Sequence, residues 1–189
     1  RPDKCYAVDN PTRFAGYLEK LAAASGRRRI GSFEELVSIL MERIDYFAEA
    51  GCKVSDHALT LPVYREAGSE ELERIFRDAS AGRVVSSEDR AAFATALLRE
   101  LGREYARRGW VFQLHIGAQR NNNSRMYEAL GPDTGFDSMA DGVMAAPLAK
   151  LLDSMDKKDE LPKTIIYVLN PRDNELMATM IGNFQDGSV

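Results

Sequence analysis

The sequence predicts an α/β protein built on a parallel sheet. Three observations lead there: short runs rich in β-branched and aromatic residues, amphipathic helical stretches between them, and turn glycines at the junctions. Strands separated by helical segments need crossover connections, and such connections give parallel pairing.

A first helix is predicted from about Pro11 to Ser25, and Gly26 with Gly31 then brackets a loop holding Arg27, Arg28 and Arg29. Ser32-Phe33-Glu34-Glu35 has the form of a capping box, in which the hydroxyl and the Glu35 carboxylate satisfy backbone donors at a helix start. Phe33, Leu36, Val37, Leu40, Ile44, Phe47 and Ala48 follow at helical spacing, and Gly51 supplies a left-handed stop. Cys52 to His57 is too short for a helix and reads as a strand with a polar end. A helix from Ser69 to Ala81 comes next. Ser86 or Ser87 then caps another, with Ala94, Leu97, Leu98, Leu101 and Tyr105 on one face and Gly109 as its stop. Trp110 to Ile116 is the clearest strand in the chain. Asn122 to Leu130 is helical, Gly131 to Gly135 is turn chemistry, and a helix holding Met144, Leu148, Leu151, Leu152 and Met155 precedes the strand Thr164 to Leu169. Gly51 to His57 and Gly109 to His115 span the same six-residue interval, so the two units look like repeats of one pattern.

Composition narrows the class. The 189 residues are 44% apolar and 29% charged, as in a water-soluble globular chain. With 25 Lys and Arg against 29 Asp and Glu the formal charge is −4, which argues against a nucleic-acid or anionic-membrane partner and for a small molecule. No apolar run approaches the roughly 18 residues of a spanning helix, and no signal-peptide layout is visible. Cys5 and Cys52 read as reduced thiols of a cytoplasmic protein, with no nucleophile motif around them. Three parallel strands leave two long edges, whereas an eightfold barrel takes about 250 residues; the expectation is a partial (β/α)8 barrel. A start at Arg1-Pro2-Asp3-Lys4 without methionine reads as a window cut from a longer polypeptide.

Ligands of parallel sheets bind at the carboxyl ends of the strands. There the sequence puts Asp56 and His57, then His115, then Asn170 with Arg172 and Asp173. His57 and His115 are the only histidines, and either could carry a proton, donate to a sugar hydroxyl or bind a divalent metal. Adjacent residues of a strand point to opposite faces, so only one of Asp56 and His57 should face a barrel interior. Gln119-Arg120-Asn121-Asn122-Asn123 offers a cation and four amides, with Arg120 as an anion receptor, or else a loop with an asparagine helix cap. Gly131 to Gly135 lacks the lysine and spacing of a phosphate loop.

Longer strings are more specific. WVFQLHIGAQRNNN at 110–123, LGPDTGFDS at 130–138, LPKTIIYVLNPRDNELMATMIGNFQ at 161–185, GCKVSDHAL at 51–59 and the opening RPDK closely resemble uronate (glucuronate) isomerase. That family belongs to the amidohydrolase superfamily of (β/α)8 barrels. The resemblance implies interconversion of D-glucuronate with D-fructuronate, and of D-galacturonate with D-tagaturonate, in bacterial hexuronate breakdown. It makes 1–189 the central part of one barrel domain, about strands 3/4 to 6, with a helical insertion at about 61–85. It implies catalytic roles for His115 and for Asp56 or His57, and substrate binding by Arg1, Arg120 and Arg172. A divalent metal such as zinc is implied for the full-length enzyme, with His115 at most an additional ligand and the principal ligands outside these residues. The isolated piece is then expected to be inactive. The readings left standing beside the isomerase are a non-catalytic fragment and another metal-dependent hydrolase on the same barrel, and a homo-oligomer is allowed.

Overall fold

The computed structural model describes residues 2–185. A 3-10 turn at Asp3–Tyr6 leads into α1 (Pro11–Ala24), whose first turn is capped by Asn10 Oδ1 accepting from Arg13 N at 3.1 Å. The next helix, α2 (Phe33–Glu49), begins as the capping box requires: Ser32 Oγ accepts from Glu35 N at 3.0 Å. The Glu35 carboxylate reaches Gly31 N at 2.7 Å, one residue earlier than the motif's usual donor. Gly51, at φ +87°, turns the chain into β1 (Val54–Leu59). This strand starts and ends two residues later than the predicted run. After α3 (Ser69–Ser80), Ser86 is the residue that caps α4 (Ser87–Arg107), and β2 (Val111–Ile116) follows.

Beyond β2 the chain forms a two-stranded antiparallel ribbon, β3 (Ala118–Gln119) with β4 (Ser138–Met139), around the short helix α5 (Ser124–Leu130). The sequence pattern did not signal this ribbon. Asn122 explains it: its Nδ2 donates to Gln119 O at 2.9 Å and to Ser138 Oγ at 3.1 Å, bridging the two strands. Then come α6 (Ala145–Asp156), β5 (Thr164–Val168), a 3-10 turn at Pro171–Asp173 and α7 (Asn174–Ile181).

The three long strands form a parallel sheet in the order β1-β2-β5, as the helix-strand alternation predicts. One face is covered by helices. Leu97, Leu98 and Leu101 of α4 and Leu148, Leu151 and Leu152 of α6 are buried with Phe112, Leu114 and Ile116 of the central strand. Burying such a side chain is worth about 1.5–3 kcal/mol, so this seam fixes which residues of each strand turn inward. Phe14, Phe76 and Phe93, each within 1% of full burial, join α1, α3 and α4 edge to face at centroid distances of 6.0 and 5.9 Å. Ile39, absent from the predicted stripe of α2, is fully buried, whereas Phe47 is half exposed against Tyr46, with Arg43 over both rings. No described helix is long and apolar enough to cross a membrane.

Candidate functional site

Strand alternation divides the polar residues between the two faces of the sheet. Ser55, His57 and Leu59 of β1 are buried on the helix side, and Asp56 and Ala58 point to the open side. In β2, Phe112, Leu114 and Ile116 go inward and Gln113 and His115 outward; in β5, Ile165 and Tyr167 are outward. Pairing in register sets Ala58 against His115 and His115 against Tyr167.

His57 is therefore a core residue, which corrects its expected place beside Asp56 in a site. It has no solvent exposure, and its Nε2 shares a 3.1 Å hydrogen bond with the Tyr105 hydroxyl of α4. Tyr6 and Phe112 pack on its ring at centroid distances of 6.3 and 5.0 Å. Burial pushes the Tyr105 phenol well up from its ordinary pKa, so the hydroxyl keeps its proton. The matching glycine-to-histidine intervals do not make the two histidines equivalent. Gly51 is followed by two residues before β1, Gly109 by one before β2, and that single extra residue turns His57 to the opposite face from His115.

Asp56 and His115 do come together. His115 Nδ1 lies 2.6 Å from Asp56 Oδ1, and both side chains are about two-fifths exposed or less, at 41% and 35%. The two atoms are in close contact without the angles of a hydrogen bond. Tyr167 stacks on the other ring face of the pair: the His115 and Tyr167 rings are 4.4 Å apart and within 3° of parallel. A carboxylate beside Nδ1 favours the imidazole orientation that leaves Nε2 to exchange protons with a ligand. Sequence reasoning treated Tyr167 only as strand; the signal that finds it is register, because it is the β5 residue paired with His115.

A cavity of about 420 Å³ lies over the carboxyl ends of the strands, lined by His115, Tyr167, Thr60 and Leu169 and by Asp3, Lys4, Arg13 and Arg120. Its size is within the range of small-molecule sites. Gly117 shapes the end of β2. Its φ of +102° lets the chain leave β2 sharply, and its N–H and carbonyl bond to Leu59 O at 3.1 Å and Ala140 N at 2.7 Å, tying the strand ends together. Asp3 Oδ1 accepts from Ala58 N and from the Tyr6 hydroxyl, both at 3.0 Å, which pins the N-terminal turn over β1.

The predicted arginines fare differently. Arg120 lines the cavity, but its Nη1 is held by Asp137 at 2.7 Å and Asp133 at 3.2 Å. The Asn121 amide and Arg120 hold the Asp137 carboxyl below its usual range. Asn123 caps α5, so the amide run is largely loop and cap. Arg172 pairs with Asp141 and, at 3.3 Å, with the buried Asp173, away from the cavity lining. Arg1 lies outside the described residues. Cys5 is fully buried and its thiol is pushed up by burial, which makes it inert. Among the described residues no three His, Cys, Asp or Glu side chains gather as a metal ion would require. Asp56 with His115 offers two donors against the three protein ligands of a typical catalytic zinc, so these residues do not by themselves make a metal centre.

A family model for glucuronate isomerase matches residues 1–189. The fold is similar to the crystal structure of uronate isomerase from Thermotoga maritima, with a TM-score of 0.87 and 27% identity over 95% of this chain and 39% of that one. It is also similar to glucuronate isomerase from Caulobacter crescentus, with a TM-score of 0.74 and 24% identity over 88% of this chain and 35% of that one. The chain thus spans well under half the length of either solved structure.

Proposed function

Because the chain belongs to the glucuronate isomerase family, we propose that the protein carrying it isomerises hexuronates, converting D-glucuronate to D-fructuronate and D-galacturonate to D-tagaturonate. The observation that carries this reading onto particular atoms is the Asp56–His115–Tyr167 cluster beside a cavity at the strand ends. In the same reading the three long strands are strands four to six of a (β/α)8 barrel, residues 61–85 are an insertion, and the open face of the sheet is the barrel interior.

Aldose–ketose isomerisation moves one proton from C2 to C1 and one from O2 to O1, with no net oxidant. The C2–H acid is very weak, so a base must stand close to it while donors carry the charge that develops on oxygen. His115 supplies a nitrogen able to accept and return a proton, and Asp56 orients it. Tyr167 makes no hydrogen bond to another described residue, which leaves its hydroxyl as a donor to a substrate oxygen.

The test is turnover of D-glucuronate, read as ketose formation. His115→Ala and Asp56→Asn should each lower kcat/KM by about 100-fold or more, the scale of positioned acid–base catalysis. Parent-like rates in both variants would remove these residues from the mechanism. A species of 21.1 kDa that binds no hexuronate would instead favour a non-catalytic fragment.

A further inference from the structure

We propose that Lys4 and Arg13 form the subsite that receives the substrate's carboxylate, a specificity device that rests on the hexuronate reading above. Four charged side chains border the cavity at the strand ends: the cations of Lys4, Arg13 and Arg120, and the carboxylate of Asp3. Arg120 is already neutralised by Asp133 and Asp137. Asp3 spends Oδ1 on the Ala58 amide and the Tyr6 hydroxyl. Among the described residues Lys4 and Arg13 form no ion pair, so their two positive charges outweigh the single negative charge of Asp3 at the cavity.

Their backbone is held firmly although their side chains are exposed. Lys4 sits in the 3-10 turn between Asp3, tied to β1, and Cys5, which is fully buried. Arg13 stands in the first turn of α1 next to Phe14, whose ring is locked between Phe76 and Phe93. Two long cationic side chains are thus presented from a rigid base to the same cavity that His115 and Tyr167 line. A hexuronate has its carboxylate at the opposite end from C1 and C2. Holding that end at Lys4 and Arg13 leaves the reacting carbons for His115, and a neutral hexose would lack the anchor.

The probe pair is D-glucuronate and its methyl ester, which differ in charge and little else, with binding to the whole protein measured by calorimetry and turnover measured separately. Exposed pairs are weak singly. The parent should therefore favour the acid over the ester by about 10-fold, with the preference shrinking as salt is raised. Lys4→Gln with Arg13→Gln should bring the ratio to within about 2-fold, and Lys4→Arg with Arg13→Lys should retain most of it. An acid-to-ester ratio unchanged in the glutamine pair overturns the subsite while leaving the isomerase reading intact. Discrimination without turnover overturns the isomerase reading and keeps the subsite, and binding of neither compound overturns both.

Discussion

Replacing Tyr105 by Phe tests which face of β1 carries His57. The substitution removes one hydroxyl and leaves the ring. That hydroxyl lies 3.1 Å from His57 Nε2, between side chains that are 3% and 0% exposed. A protein hydrogen bond is worth about 0.5–1.5 kcal/mol net, and a buried polar atom stripped of its partner costs about 1–3 kcal/mol. Because the ring remains, the cavity term is small, and the expected loss of unfolding free energy is about 1–3 kcal/mol. Urea titration followed by Trp110 fluorescence is a suitable assay, since the indole stacks on Tyr105 at 5.9 Å and within 7° of parallel. Tyr167→Phe is the control. Its ring is 42% exposed on the open face and its hydroxyl bonds to no described residue, so stability should move by no more than about 0.5 kcal/mol. If Tyr105→Phe were as stable as the parent while hexuronate turnover collapsed, His57 would belong to the chemistry and not to the buried face of β1.

Two further predictions concern the scaffold. Ser32→Ala removes the acceptor for Glu35 N and should cost about 0.5–2 kcal/mol, recovered in large part by Ser32→Asp; an unchanged urea midpoint in the alanine variant would mean that the cap does not hold α2. Acid should unfold the protein through its arginine-paired carboxylates. Arg83 holds Asp78, Arg74 holds Asp89 and Arg107 holds Glu104 below the ordinary carboxylate range. A carboxyl lowered in the folded state stabilises above its unfolded pKa, so this contribution is complete above about pH 4.5 and is lost as pH falls further. Arg74→Gln should make the stability profile between about pH 4.5 and 3 less steep, and an identical slope would take the Arg74–Asp89 pair out of the account.

The elements were legible because each has a local cause. Ser32, Ser86 and Asn123 start helices by accepting from backbone amides, Gly51 and Gly109 end them at positive φ, and the apolar periods of α4 and α6 match what is buried. The β3–β4 ribbon was not legible, since it depends on Asn122 reaching a strand 16 residues away. Phe47 failed for a related reason. Helical spacing says that a residue shares a stripe, and only the neighbouring layer decides how wide the covered stripe is.

Sequence alone determined the order of the three long strands and of α1 to α6, the parallel sheet and the polar residues carried on the strands, together with strings that tie the chain to one family. Alternation along a strand fixed that Asp56 and His57 part company, but not which of them turns outward. That was decided in three dimensions, by α4 offering His57 a buried hydroxyl and by a register that sets Ala58, not His57, opposite His115. One extra residue between Gly51 and β1 is enough, because side chains repeat every two residues along a strand and a shift of one exchanges the faces.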